Sequence, residues 1–394
     1  MNKNILYVLF FLSLFSIFNL KAINLGSIDL FLEDIIIFIS TLTLFGYIAN
    51  KNNEINRDLT VKLWYFYIFF IALITTIRYF FGEIEIISFF FILKEIEFFI
   101  FFILSYSVGR MLSNGKIAIY VNIIIIPSLV WGALQVILGI KAHYGIGGIG
   151  NEAPSISGMS FGVISFIYLY LWLNNKIKKL SIIYFCLYIT SSLFVILTVS
   201  RGAILAMLCA NIFFWGALFV FKNESSKLKY ILSSISIILI ITILNYFFDF
   251  IYLFNTVIER FSRIDQSSNI RFNNWGYLLQ HNDSLGWIVG MGKSFPNVIT
   301  GSSYLQVDNQ YIRNIIEMGL IGSVIWFILI FSFIYTVFRA NKKVITIIAI
   351  TFTLLFLVYS MVSEAFQVSR ISLLYWAFTG LLIGIIKKEK IIKD

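Results

Sequence analysis

Arginine at the edge of an apolar run is a residue that can meet a phosphate. The chain reads TVSRGAILAM at 198–207, with Arg201 between two apolar runs and Gly202 and Ala203 beside it allowing close backbone approach. Two readings stand side by side: a side chain that snorkels to the membrane interface, or a planar guanidinium that grips phosphate oxygens at headgroup depth. A second arginine opens RFNNWGYLLQHNDSLGWIVGMG at 271–292, where Arg271 and Trp275 lie one helical turn apart and can share a helical face before a glycine-rich turn. The stretch ends in SSYLQVDNQYIRNIIEMGLIGSVIW, with Asp308 just ahead of the next apolar run. Asp308 could cap that helix, or take the proton of an attacking hydroxyl.

Other polar residues are candidates of lower information. HYGIGGIGNEAPSISG at 143–158 holds Glu152 as its one carboxylate, amid glycines that permit tight turns, so Glu152 is a second acid or binding group. His143 and His281 are the two histidines, and His281 could act as acid or base. Neither they nor any carboxylate triplet gives metal-ligand spacing, so no metal site is expected. Lys94 and Glu97 fit an i,i+3 ion pair and Arg313 and Glu317 an i,i+4 pair, while Glu95 has no obvious local partner. Cys186 and Cys209 fall inside apolar runs, where they read as packing residues.

The elements that must position these residues are membrane helices. The chain has 394 residues, 59% hydrophobic and 13% charged, against about 25% charged in soluble domains. Crossing a bilayer takes about 20 apolar residues in a helix, and about twelve segments approach that length. They are placed near 4–20, 28–49, 61–81, 86–108, 117–140, 158–174, 180–199, 202–221, 229–249, 311–338, 344–362 and 369–386. The first follows Lys3 with no small-residue cleavage site after it, which reads as a retained anchor.

Charge orients them. With the N-terminus in the cytoplasm, every short connection on that side carries Lys or Arg, from Lys51, Arg57 and Lys62 through Arg339, Lys342 and Lys343 to the C-terminal lysines. The net charge of +10 is accounted for by contact with anionic membrane lipids, and nucleic acid is not implied. The expected fold is therefore an all-α polytopic membrane protein, a single integral membrane domain over 1–394 with both termini cytoplasmic. One loop is out of proportion: 250–310, between the ninth and tenth spans, on the extracytoplasmic side. Long loops in compact proteins are usually functional, and this one is expected to fold over the helix ends as a lid.

Three segments together resemble the O-antigen polymerase and O-antigen ligase superfamily: SRGA at 200–203, the stretch from Arg271 and Trp275 to GMG at 290–292, and DNQYIRNIIEMGLIG at 308–322. GNEAPS at 150–155 is similar to a Glu-Pro-Ser turn of some polymerases, with Ala153 inserted. The resemblance implies a donor glycan on undecaprenyl diphosphate, whose diphosphate leaves as an acceptor hydroxyl attacks the anomeric carbon without a metal ion or cofactor. It assigns Arg201 and Arg271 to the diphosphate, where they stabilise the leaving charge. Asp308 becomes the catalytic carboxylate, and Trp275, Glu152, His281 and Arg313 the substrate-binding set. Trp275, Trp287, Tyr304 and Tyr311 could bracket sugar rings, or simply anchor the interface.

Ligases of the superfamily typically carry histidine where this chain has Asp308, which favours the polymerase branch. The expected activity is polymerisation of an O-antigen, capsule or similar surface glycan at the outer face of the bacterial cytoplasmic membrane, with a chain-length regulator and a flippase as candidate partners. A ligase is the alternative enzyme. A lipid-linked oligosaccharide flippase is the alternative of another class, and it would depend on Lys94, Glu95 and Glu97 within a span rather than on Arg201, Arg271 and Asp308.

Overall fold

Helices dominate the computed structural model, which describes residues 21–24, 29–31, 39, 55, 58–111, 114–138, 154–175, 177–221, 264–300, 307–340 and 343–391. A short antiparallel pair, β1 (Lys21–Asn24) and β2 (Asp29–Phe31), precedes the helices. The helices follow as α1 (Leu59–Phe80), α2 (Ser88–Met111), α3 (Asn114–Leu138), α4 (Pro154–Asn174), α5 (Lys178–Leu197) and α6 (Arg201–Phe221). After them come α7 (Ile264–Gln280), the short α8 (Ser284–Val289) and α9 (Phe295–Thr300), then α10 (Gln310–Phe338), α11 (Lys343–Tyr359) and α12 (Ser369–Ile391).

Among the described residues, eight helices are long and apolar enough to cross a membrane: α1, α3, α4, α5, α6, α10, α11 and α12. The chain is an all-α polytopic membrane protein. Each of these falls within a few residues of its expected span. α2 has the length, but Lys94, Glu95 and Glu97 interrupt its apolar run, so it is not among the eight. The expected spans 4–20 and 229–249 lie outside the described residues. So does most of 28–49, whose start is corrected: residues 29–31 form β2, paired to β1, rather than helix.

The chain divides into two compact units. The first comprises Met1–Tyr120, Ser268–Ala340 and Ser360–Asp394. Here α2 runs along α12, and α1 packs on α10. The indole of Trp64 meets that of Trp376 edge-on at 4.5 Å, with Phe99 and Phe102 around them. The side chain of Asp58 caps α1 by accepting from the Thr60 N–H at 3.0 Å.

The second unit comprises Val121–Ser267 and Asn341–Tyr359. Its α4 packs on α5, and α6 on α11. Phe161 and Phe194 meet edge-on at 5.3 Å between α4 and α5. At the ends of α4 and α11, the Tyr359 hydroxyl donates to the Ser155 carbonyl at 2.9 Å.

The described part of the long connection is built as helix and tight turn. α7, α8 and α9 occupy much of the described part, and Ile84, Leu278, Met291, Phe295, Val307 and Ile316 close over one another as a buried cluster within the first unit. Burying side chains of this kind contributes about 1.5–3 kcal/mol each. The GMG turn also repairs a broken helix. Gly319 interrupts α10 at φ 63°, ψ −170°, a region open only to glycine, so the carbonyls of Ile316 and Glu317 lose their helical donors. Met291 N–H and Gly292 N–H supply replacements at 2.9 and 3.0 Å. The approach is so close that a Cβ on Gly290 would strike the Glu317 carbonyl and Met318, and one on Gly319 would strike Ile288.

Candidate functional site

α7 carries Arg271 and Trp275 one turn apart, and they reach two adjacent residues, Asp308 and Val307. Arg271 Nε lies 3.4 Å from Asp308 Oδ2, and the Trp275 indole N–H donates to the carbonyl of Val307 at 2.5 Å. The shared helical face expected from the spacing is therefore present. Phe272 stands edge-on against Trp275 at 5.1 Å. Burial raises the pKa of the Asp308 carboxyl, and the Arg271 charge only partly offsets it.

The alternative reading of Asp308 as helix cap is corrected. Asn309 is the cap of α10: its side-chain oxygen accepts from Tyr311 N–H at 2.9 Å and Ile312 N–H at 3.1 Å. Asp308 stands one residue too early to reach those donors and instead adopts a left-handed backbone at φ 48°. That conformation is uncommon for a residue with a Cβ and turns its carboxylate toward Arg271. Asn309 also donates to the Met361 carbonyl, Gln310 N–H to the Ser360 carbonyl, and Phe366 N–H to the Gln310 side chain. The turn at 360–366 thus holds the 308–310 corner from the other side.

Behind this corner lies a buried ionic network. Arg313 Nε meets Glu317 Oε1 at 2.9 Å, the expected i,i+4 pair, and its other arm bonds Glu364. Lys293 Nζ lies 2.7 Å from Glu95 Oε1 and 3.3 Å from Glu317 Oε2. Ser294 N–H donates to Glu317, and the Tyr67 hydroxyl to Glu95. Burial works against the Lys293 charge, yet Glu95 and Glu317 outweigh it and hold its pKa above the ordinary value. Burial pushes Glu364 upward, and the charges of Glu317 and Asp308 push the same way against Arg313. Glu95 therefore has partners, Lys293 and Tyr67, both far from it in sequence, while Lys94 and Glu97 pair at 3.0 Å as their spacing suggests.

Arg78, at the end of α1, binds both oxygens of Asp283 at 3.2 and 3.3 Å, Glu83 at 2.6 Å and the Gly290 carbonyl at 3.1 Å. Its hydrogen bonds hold Asp283 below the usual carboxylate range, and Asp283 in turn caps α8 through Gly286 N–H. Sequence reasoning missed Arg78, Lys293 and Glu364. The available signal was Glu95: a carboxylate amid an apolar run needs a cation, and the nearby segments offer few.

The remaining candidates stand apart. His281 is exposed, with Nδ1 2.8 Å from the Tyr277 carbonyl and its ring against Tyr277. Tyr311 stacks on Phe327 at 5.8 Å, and Trp287 is exposed. Arg201 is half-buried at the first position of α6 in the second unit. Val199, two residues before it, has φ 56°; the other non-glycine residues of positive φ among those described are Ser294, next to Lys293, and Asp308. Glu152, His143 and Tyr304 lie outside the described residues. Among the described residues, no three carboxylate, histidine or cysteine side chains converge as a cation site requires.

Fold and site define a multi-pass membrane protein with a polar, charged centre at the ends of its helices. Residues 186–327 match a family model described as O-Antigen ligase, a stretch that contains Arg201, Arg271, Asp308 and Arg313. The match supports the O-antigen polymerase and ligase superfamily and a glycan-processing membrane protein of that type. No curated protein matches the chain.

Proposed function

We propose that this chain polymerises a bacterial surface polysaccharide of O-antigen or capsule type at the outer face of the cytoplasmic membrane. The growing glycan leaves undecaprenyl diphosphate for a hydroxyl of the next lipid-linked repeat. As the acceptor oxygen bonds the anomeric carbon, the bond from that carbon to the diphosphate breaks and its electron pair leaves with the diphosphate. Asp308 takes the hydroxyl proton. Arg201 and Arg271 neutralise the departing diphosphate, and Trp275, Glu152, His281 and Arg313 hold sugar. In this reading 1–394 is one membrane domain, 250–310 is extracytoplasmic and both termini are cytoplasmic.

The observation that carries the reading is the 3.4 Å pairing of Arg271 with Asp308 inside the matched stretch. A diphosphate that drew Arg271 away would leave Asp308 a half-buried carboxylate without its counter-ion, and so a stronger base. Donor binding would then prepare the base. The family description favours the ligase as second reading. The flippase reading is less supported, because Glu95 is engaged in a buried structural pair.

Incubating the purified chain with one lipid-linked repeat and resolving products by length tests the proposal. A ladder supports polymerase. A single transfer seen only with a foreign acceptor means ligase, and no product from a matched substrate overturns both.

A further inference from the structure

Two neighbouring helices of the first unit each carry an apolar stripe on the surface. On α10 the exposed residues Ile321, Val324, Ile328, Phe331, Tyr335 and Phe338 recur at steps of three and four, and on α1 Phe66, Phe69, Leu73, Ile77 and Phe80 do the same. From Leu320, just past the break at Gly319, to Phe338, just before Arg339, α10 carries no charge and is about 27 Å long at 1.5 Å per residue. A hydrocarbon core is about 30 Å thick, so this part of the helix crosses it unaided, and the break marks one edge.

α8 is bound at that edge. It packs on α10, where a Cβ on Gly319 would strike the Ile288 carbonyl, and Arg78, at the end of α1, donates to the Gly290 carbonyl at 3.1 Å. Yet α8 turns Leu285, Trp287 and Ile288 outward, and Leu285 and Ile288, one turn apart, are 58% and 50% exposed. At the end of α1, Phe80 and Phe81 are 80% and 75% exposed. The polar groups of the segment have partners: Arg78 meets Asp283 and Glu83, Asp283 accepts from the Gly286 N–H, and the N–H groups of Met291 and Gly292 bond α10 carbonyls. Apolar surroundings would leave none of these unmet.

We propose that the segment 283–292 is a membrane-surface element, with Leu285, Trp287, Ile288, Phe80 and Phe81 inserted among lipid acyl chains at the edge of one leaflet. Continuity identifies the occupant as lipid, because α8 sits where the exposed stripe of one candidate span stops and is tied to the end of a second. A tryptophan at that depth is an ordinary anchor of a membrane interface. To swing away as a lid, the segment would have to draw these side chains into water. The inference needs no assigned reaction and is the same for a polymerase, a ligase or a flippase.

Spin labels on the full chain in liposomes of phosphatidylethanolamine and phosphatidylglycerol test this. With Cys186→Ala and Cys209→Ala as background, one nitroxide at a time is placed through Leu285→Cys, Ile288→Cys, Phe331→Cys in the stripe of α10, or Lys179→Cys, exposed at the start of α5. Oxygen concentrates in lipid, and a water-soluble nickel chelate stays outside it. The ratio of oxygen to nickel collisions at 285 and 288 is expected several-fold above that at 179 and close to that at 331. A ratio at both positions equal to that at 179 puts α8 in water and overturns the proposal. Labels shielded from both reagents mean a protein cover, a second copy of the chain or another partner, and overturn it too. Should the labelled variants fail to fold, Trp287 answers without a label. The fluorescence lost in Trp287→Phe is expected to be quenched by lipids brominated near the headgroup end of their acyl chains, and its insensitivity to them rejects insertion.

Discussion

Lys293 sets its ammonium 2.7 Å from Glu95, a partner 198 residues away, and both side chains are buried. The pair pins the segment after the GMG turn to α2, while Glu317 joins it to α10. The part of the connection expected to act as a lid is thus anchored within the first unit at 290–294 by buried charge and by backbone bonds to α10. Irregular backbone that is buried is tolerable only where its polar groups find partners.

Breaking this pair from one side should be costly. Lys293→Met is expected to destabilise by about 3–5 kcal/mol, because it strands the buried Glu95 charge, and Glu95→Gln should cost less, because Lys293 keeps Glu317. The double variant should cost clearly less than the sum. Thermal or denaturant unfolding in detergent measures both, and simple additivity would show that the two groups do not stabilise each other.

Asp308 separates stability from activity. Its left-handed backbone costs about 1 kcal/mol or more for a residue with a Cβ, a strain glycine does not feel. Asp308→Gly should therefore melt at or above the wild-type temperature, since its partly exposed link to Arg271 is worth only about 0–1 kcal/mol. The same variant, and Asp308→Asn, should lose polymerising activity by about 10²-fold or more. Retained activity in both would remove Asp308 from the mechanism.

The pH dependence follows from the same carboxylate. Burial raises its pKa, so the folded chain favours the protonated form, and acidification removes the base without costing stability at this residue. Activity should fall with decreasing pH along a limb lying above the usual aspartate range. Arg271 lowers this pKa, so Arg271→Gln should move the limb to higher pH as well as reduce the rate. A pH–rate profile whose acid limb stays in place in that variant contradicts the coupling.

The turn against the broken helix should not accept side chains. Gly319→Ala and Gly290→Ala each demand a positive φ and a Cβ where backbone already stands, and should destabilise by more than about 1 kcal/mol. Gly216→Ala, where a Cβ would meet nothing, is the control, and its unfolding temperature should be unchanged or higher.

Apolar length determined the helices: each of the eight candidate spans among the described residues recurs within a few residues of an expected one, because a bilayer leaves a chain few other ways to satisfy its backbone. Local spacing also determined the pairs that depend on one helix, Lys94 with Glu97 and Arg313 with Glu317, and the common face of Arg271 and Trp275. What only the tertiary structure decided was every relation across the chain. Periodicity carries no information about which distant residue a charge meets, so Glu95 looked solitary and Lys293, Arg78 and Glu364 passed unremarked. The cap of α10 fell to Asn309 rather than Asp308 for a related reason. A cap needs reach to the N–H groups two and three residues on, and where the helix begins was set by its contacts with the 360–366 turn, far along the sequence.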